Sequence, residues 1–259
     1  MAVEEAEVSE NAVLGGRLVL RQPLKGHRVG HDAILLAAAC SAHSGDRLVD
    51  LGAGVGAAGL AVARRVDDLR VTLIEIDPAL TALARENAER NHLADRVRAL
   101  TLDVTAPAAA FTAQGLAPGS VDHVLMNPPF NAPPNPSPDP GRRLAHVGAD
   151  DMPSRWLGTA ALLLRPNGIV TLIWRADALP AVLAALADAF GAASVLPVHP
   201  KPASPAIRVL VRAVKASRAP LLLLPGLVLA DEAGKPTAAA EAVLRNGGVL
   251  ALAKGQAER

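Results

Sequence analysis

Aromatic residues are scarce in this chain of 259 residues, which has no tyrosine, three phenylalanines and two tryptophans. Proteins that bind single-stranded nucleic acid without sequence preference stack successive bases on several aromatic rings. The composition therefore argues against a general single-strand binder, although one ring could still hold one base. Alanine, leucine and valine must supply the core, and a hydrophobic content of 51% is ample for it.

Cysteine is nearly absent as well. The single Cys40 excludes an intrachain disulfide, and the histidines lack metal-ligand spacing, so we expect no zinc site and no other metal. Cys40 ends an apolar run at residues 33–40 and is interpreted as a buried core residue.

Neither sign of charge dominates, since 26 Lys and Arg residues face 25 Asp and Glu residues. This balance creates no global field that attracts nucleic acid, so any RNA site has to be a local basic patch. The acidic residues 1–10 lack the pattern of a secretory signal, and the apolar stretches near residues 33–40 and 221–230 are too short or too interrupted to cross a bilayer. The sequence predicts a cytoplasmic protein without membrane contact or an obligate protein partner, and leaves the oligomeric state open.

Apolar runs typical of strands alternate with Ala- and Leu-rich helical stretches, which predicts an α/β fold with a mostly parallel, twisted sheet of seven strands and helices on both faces. The strands are expected near residues 47–51, 70–76, 97–102, 121–126, 169–174, 194–198 and 207–214, and the helices near 55–66, 78–91, 154–164 and 178–190. We divide the chain into an N-terminal extension with a strand and a helix (1–46), the α/β domain (47–217) and a tail with short strands and a helix (218–259).

A glycine-rich segment, Gly52-Ala53-Gly54-Val55-Gly56, follows the first strand of this domain and opens a helix, where backbone can approach a nucleotide-type cofactor closely. Two cofactors fit. In one register the three glycines line an S-adenosylmethionine site beside Asp50. In the other, a dinucleotide fingerprint starts at Gly54 and ends at Gly59, with Glu75 at the spacing of a ribose ligand. The Asp50 carboxylate would repel a pyrophosphate, which favours the first register.

The tetrapeptide Asn127-Pro128-Pro129-Phe130 closes the strand predicted at residues 121–126. The lone pair of an exocyclic or amide nitrogen is delocalised, so an enzyme that uses it as a nucleophile must place acceptors opposite its N–H bonds. The Asn127 side-chain carbonyl and the Pro128 backbone carbonyl are two such acceptors, and the Phe130 ring offers a face to a planar substrate. The alternative is an ordinary strand followed by a proline-rich loop.

With these motifs in one chain, the sequence resembles the class I S-adenosylmethionine-dependent methyltransferases, and specifically the (Asn/Asp)-Pro-Pro-(Tyr/Phe) amino-methyltransferases. The segment Gln22-Pro23-Leu24-Lys25-Gly26-His27-Arg28-Val29-Gly30-His31-Asp32-Ala33, and the motif from His199-Pro200 to Arg208-Val209-Leu210-Val211, resemble the bacterial tRNA1(Val) adenine-37 N6-methyltransferase family. The resemblance covers residues 18–244. It implies a Rossmann-like class I methyltransferase fold, S-adenosylmethionine as cofactor, no metal, and N6-methylation of an adenine in tRNA.

The resemblance also implies a role for each site residue. Asn127, Pro128, Pro129 and Phe130 would hold the target base as the catalytic group. The cofactor-binding residues that it implies are Arg28, His31, Asp32, Asp50, Gly52, Ala53, Gly54, Gly56, Glu75, Ile76, Asp103, Val104 and Asn127. Within this set Glu75 would hold the ribose hydroxyls and Asp103 the adenine amine. The chain departs from the family pattern at three positions. His31 stands where relatives often carry Ser, Thr or Ile, Ala53 where many carry Cys, and Phe130 where Tyr is commoner. None of these changes removes a required functional group.

Other assignments stay open. Similar tetrapeptides occur in enzymes that methylate rRNA guanine N2 or protein glutamine N5, so another amine, an amide or a small molecule is an alternative acceptor. An NAD-dependent oxidoreductase is supported only by the overlapping glycine pattern. The presence of Asn127, Glu75 and Asp103 argues against a binding module that has the fold but no catalytic activity. Asp103 could be only a turn residue, and His31 and Asp32 only helix caps.

Overall fold

The computed structural model describes residues 8–24, 29–129 and 152–254. Its strands, in chain order, are β1 Val8–Val13, β2 Leu18–Pro23, β3 Arg47–Leu51, β4 Arg70–Glu75, β5 Val97–Thr101, β6 Val121–Met126, β7 Leu164–Arg175, β8 Phe190–His199, β9 Arg208–Lys215, β10 Leu222–Leu223 and β11 Leu227–Val228. Its α-helices are α1 His31–Ala39, α2 Ala57–Arg65, α3 Pro78–Arg90, α4 Ala108–Ala113, α5 Met152–Leu163, α6 Leu179–Leu186 and α7 Ala238–Leu244.

The main sheet confirms the predicted α/β class, but it has nine strands in the described part of the chain and not seven. The order is β10-β8-β9-β7-β6-β3-β4-β5, and β11 also pairs with β8. The run from β7 to β5 is parallel, whereas β9 is antiparallel to both β7 and β8. The two extra strands lie in the tail, have two residues each and both pair with β8; the sequence predicted short strands in the tail but not their place in this sheet.

Two apolar layers cover the two faces of this sheet. The first contains α1 and α2 side chains such as Leu36 and Leu60, and the second contains Phe111 of α4 and Leu163 of α5. Because both faces are covered, strands β3, β4 and β6 are buried along most of their length. Their carboxyl ends remain free at one edge, where polar residues can gather.

The elements differ from the predictions mainly at turns. The segment between the helix predicted near 154–164 and the strand predicted near 169–174 lies inside β7, where the register with β6 shifts. Asn167 has a φ of 63°, and a Cβ on Gly168 would lie 2.9 Å from the Arg165 carbonyl oxygen, so this pair forms a bulge that asparagine and glycine suit. The predicted helix at residues 178–190 ends at Leu186, and α4 was not predicted.

The N-terminal extension forms a separate two-stranded antiparallel sheet of β1 and β2. Asn87 of α3 and Asn91, the residue that caps the end of this helix, bind its open edge as a strand would. The Asn87 side chain accepts from the Arg21 N–H (2.7 Å) and donates to the Arg21 carbonyl (3.0 Å), and Asn91 makes the same pair with Val19 (2.9 and 2.8 Å). Asn87 also donates to the Val55 carbonyl in the glycine loop (3.0 Å), so one buried amide ties the extension to that loop.

Candidate cofactor and acceptor cleft

A cleft of about 440 Å³ opens at the carboxyl ends of the neighbouring strands β3, β4, β5 and β6. Clefts of this size hold nucleoside-sized ligands, and ligands of open parallel sheets bind at this edge. The walls bring together three segments that are far apart in sequence: the start of α1, the glycine loop, and the ends of strands β4 to β6. The lining residues that the sequence predicted are Asp32, Asp50, Gly52, Ala53, Gly54, Glu75, Ile76, Asp103, Val104, Asn127, Pro128 and Pro129.

The glycine loop takes a conformation that side chains disfavour. Gly52 and Gly54 have φ of 68° and 57°. A Cβ on Gly52 would overlap the ring of Trp156 in α5, whereas a Cβ on Gly54 would meet nothing within 4 Å. The space beside Gly54 is therefore available to a ligand, and the space beside Gly52 belongs to the indole ring.

Gly56 also has a positive φ, of 89°, and both Gly56 and Gly59 lie close against β4. A Cβ on Gly56 would lie 2.8 Å from a methyl carbon of Leu73, and one on Gly59 would overlap another methyl carbon of the same side chain. Both glycines therefore allow α2 to pack on β4, and Gly56 is not among the residues that line the cleft. Close packing of α2 on β4 is also the role of the last glycine in a dinucleotide fingerprint, so this contact at Gly59 does not separate the two registers.

Asp50 is buried beneath the loop, where only 2% of its surface is exposed. Its Oδ2 atom accepts from the Gly59 N–H at 2.8 Å. Burial raises the pKa of this carboxyl to about 7, against the Gly59 hydrogen bond, which lowers it, while nearby Glu75 raises it further. Asp50 therefore joins strand to helix and places a weakly acidic carboxyl at the floor of the cleft.

Glu75 ends β4 and holds the loop in place. Its Oε2 atom accepts from the Gly54 N–H at 2.8 Å, and its Oε1 atom accepts from the Asp77 N–H at 3.0 Å. Carboxylate oxygens accept more than one hydrogen bond, so these contacts are compatible with a diol ligand. Ile76 follows with 63% of its surface exposed at the cleft, an apolar surface beside the fixed carboxylate.

Two other acidic residues adopt local structural roles. Asp103 lines the cleft, and its Oδ1 atom accepts from the backbone N–H and the hydroxyl of Thr105 at 2.7 and 2.9 Å, as in a turn. Asp77 caps α3 by accepting from the N–H of Ala79 at 2.8 Å.

Asn127 places a buried side-chain oxygen without a described partner at the cleft. Its Oδ1 atom is buried and has no hydrogen-bond partner among the residues that the structure describes. Pro128 is buried beside it and Pro129 is exposed, and all three residues line the cleft. A buried acceptor without a partner is unfavourable unless a ligand supplies a donor, so this atom marks a place for an N–H or O–H group.

Three predicted site residues remain: Arg28, His31 and Phe130. Phe130 and Arg28 fall outside the described residues. His31 is exposed at the start of α1 and does not line the cleft, whereas its neighbour Asp32 does. The side chain of Asp32 binds Arg208, with Nε donating to Oδ2 at 2.9 Å.

Sequence reasoning missed two prominent side chains of the cleft, Trp156 and Arg208. Trp156 gave one signal, since it is one of only two tryptophans in a chain poor in aromatic residues. Arg208 was noted only as part of a resembling motif. No three His, Cys, Asp or Glu residues within 8–24, 29–129 and 152–254 group as metal ligands, and no helix in those ranges has the length and apolar character to span a membrane.

This sheet order, with one antiparallel strand inserted beside β7 and a glycine-loop cleft at the carboxyl edge, defines a class I methyltransferase fold. The family model described as "Methyltransferase small domain" matches residues 27–199. The chain belongs to this methyltransferase family, which confirms the predicted class of protein.

The similar proteins are also methyltransferases by name. The tRNA1(Val) (adenine(37)-N6)-methyltransferase of Phocaeicola vulgatus is 30% identical over 187 residues, which cover 71% of this chain and 75% of that protein. The protein of the same name from Bacteroides thetaiotaomicron is 28% identical over 151 residues, 58% of this chain, and the match spans only 60% of its length. Among solved structures, a predicted O-methyltransferase from Agrobacterium tumefaciens aligns with a TM-score of 0.72 and 31% identity, covering 85% of this chain and 98% of that one.

Proposed function

We propose that this chain is an S-adenosylmethionine-dependent N-methyltransferase whose acceptor is the N6 amine of an adenine in tRNA. The observation that carries the proposal is the unpartnered Oδ1 atom of Asn127 at the wall of the cleft. The names of the Phocaeicola and Bacteroides relatives support adenine in tRNA as the acceptor.

The cleft residues fit the cofactor in chemistry as well as in size. Glu75 would accept from the ribose hydroxyls, Ile76 and Val104 would cover the adenine, and Asp103 would accept from its amine. Gly54 leaves open space at the loop, where a side chain would intrude. When bound, the cofactor supplies an electrophilic methyl group on a sulfonium.

Asn127 and Pro128 would then activate the acceptor. The Asn127 Oδ1 atom and the Pro128 carbonyl accept from the two N–H bonds of the amine, which concentrates the nitrogen lone pair on the side that faces the methyl group. Methyl transfer would form an N–CH₃ bond, break the S–CH₃ bond and leave S-adenosylhomocysteine. The alkylated nitrogen is acidic and loses its extra proton readily, so no strong base is needed.

An adenine stacked in RNA must first leave its stack, which costs a few kcal/mol. The contacts at Asn127 would offset part of that cost.

O-methylation is the second candidate, because the Agrobacterium protein is named a predicted O-methyltransferase. A hydroxyl acceptor has one hydrogen to donate, whereas the Asn127 and Pro128 carbonyls offer two acceptors. This difference favours an amine.

Two measurements test the proposal. Mass spectrometry of the ligand that copurifies with the chain should detect S-adenosylmethionine or its homocysteine product, and recovery of NAD alone would overturn the cofactor assignment. Labelled S-adenosylmethionine, incubated with the chain and total tRNA, should yield label as N6-methyladenosine after digestion to nucleosides. Label in ribose-methylated nucleosides instead would establish O-methylation.

A further inference from the structure

Arg208 lies on the acceptor side of the cleft. It is the first residue of β9 and pairs in register with Arg175, the last residue of β7, so it lies at the carboxyl edge of the sheet. Strand β9 is two positions from β6, about 10 Å at the usual strand spacing, and β6 ends next to Asn127. The strands of Glu75 and Asp103 lie on the opposite side of β6.

The charges of the cleft are distributed unevenly. Asp32, Asp50, Glu75 and Asp103 line it, and Arg208 is the one basic residue among its described lining residues. A sulfonium and an ammonium group suit the acidic part of such a cleft. An anionic group is repelled by these carboxylates, and among the described lining residues the positive charge that attracts it is that of Arg208, which is paired with Asp32.

The guanidinium of Arg208 is held in a defined orientation. Its Nε atom donates to Asp32 Oδ2 at 2.9 Å, and its Nη1 atom donates to the Ile207 carbonyl at 3.0 Å. About a quarter of each side chain in the Arg208–Asp32 pair is exposed, which keeps the pair accessible from the cleft. An arginine has five N–H donors in a fixed fork, so it can bind an oxyanion in addition to partners within the protein. Because these bonds fix the guanidinium group of Arg208 before a ligand binds, the side chain loses less conformational entropy on binding.

We propose that Arg208 binds an oxyanion of the ligands that occupy this cleft. The inference rests on the proposed function, which offers two sources of the same chemistry. One is the carboxylate of the methionine part of S-adenosylmethionine, and the other is a phosphate of the acceptor nucleotide. Both present paired oxygens that match the guanidinium fork.

The test compares Arg208→Gln with Arg175→Gln in the full chain. Arg175 is the matched control because it faces Arg208 in the strand register, does not line the cleft, and pairs instead with Asp177. Calorimetry would measure the Kd for S-adenosylmethionine and for its decarboxylated analogue. Kinetics would measure the KM for tRNA, with 5′-adenylate and adenosine compared as competitors.

Each source gives its own result. If Arg208 holds the cofactor carboxylate, Arg208→Gln weakens S-adenosylmethionine binding at least about tenfold and leaves the decarboxylated analogue unchanged. If Arg208 holds a phosphate, cofactor affinity stays at the wild-type value, the KM for tRNA rises at least about tenfold, and adenylate loses its advantage over adenosine.

A folded Arg208→Gln protein that matches Arg175→Gln in all these measurements would overturn the proposal and leave Arg208 as a structural partner of Asp32. If Arg208→Gln does not fold, the wild-type chain provides the test. The proposal is overturned if wild type binds S-adenosylmethionine no more tightly than its decarboxylated analogue and 5′-adenylate no more tightly than adenosine. Failure of the wild-type chain to bind S-adenosylmethionine would refute the proposed function itself, and the adenylate comparison would then decide the role of Arg208 alone.

Discussion

Replacing Asn127 with alanine should reduce turnover and leave the fold intact or more stable. In wild type the Oδ1 atom is buried without a partner in the described part of the chain, and such an atom costs about 1–3 kcal/mol. Alanine removes that cost together with some packing, so we expect a melting temperature that is unchanged or higher. For a chain of this size, 1 kcal/mol corresponds to about 2–4 °C.

The effect on catalysis has the opposite sign. Loss of one preorganised hydrogen-bond partner of a transition state lowers turnover by about 10²–10³-fold where the partner faces a full charge. The Asn127 carbonyl faces N–H bonds that carry only partial charge, so we expect a loss of at least about tenfold. The Kd for S-adenosylmethionine should stay near the wild-type value. The assay is a single-turnover measurement with tRNA, paired with calorimetry and a thermal melt.

Thr171→Val is the matched control. The Thr171 hydroxyl is another buried oxygen without a partner among the described residues, but it lies on β7 and does not line the cleft. Its replacement should raise the melting temperature and leave turnover unchanged. If Asn127→Ala weakened cofactor binding as much as turnover, Asn127 would be a cofactor ligand and not the acceptor of the amine. Unchanged turnover would remove the basis of the proposed function.

Three further changes test other parts of the cleft. Gly52→Ala should destabilise the chain more than Gly54→Ala in thermal melts, because both glycines have positive φ but only the first would push a methyl group into Trp156; equal effects would contradict this. Asp50 has a pKa raised to about 7, so the folded chain keeps a proton that the unfolded chain releases near pH 4. The free energy of unfolding of wild type relative to Asp50→Asn should therefore fall as pH rises from about 4 to 7 and level off above, and an increase would refute the assignment. Asn87→Ala breaks three hydrogen bonds and should destabilise the chain by about 2–4 kcal/mol in urea titrations; a loss below 1 kcal/mol would show that water replaces them.

Most of the cleft residues that the sequence predicted lie at or just after the ends of parallel strands, whereas Asp32, at the start of α1, was predicted from the family resemblance. Asp50, Glu75 and Asn127 each end or follow a buried apolar run, and parallel strands bring such positions to one edge whatever the details of packing. Strand period and turn residues were therefore enough to place them together.

The parts that it did not predict depend on contacts between distant elements. Arg208 reaches Asp32 across 176 positions of sequence, because β9 inserts antiparallel between β7 and β8. Trp156 reaches Gly52 because α5 packs against the same edge. Neither contact has a local signal, since strand order and helix packing are decided by the whole core and not by the residues on either side.

Asn87 and Asn127 differ in how their side-chain oxygens are hydrogen-bonded within the protein. The amide of Asn87 is fully buried and makes three hydrogen bonds, so this fold is able to satisfy an internal asparagine when structure alone requires it. The Asn127 oxygen, at the end of β6, has none within the described residues. The difference is one of position, because Asn87 faces the open backbone edge of β2 whereas Asn127 faces the cleft. Folding therefore leaves an acceptor at the cleft wall whose hydrogen bond forms only when a ligand brings a donor. The free energy released by that bond is available for binding the acceptor and not for stability of the empty protein.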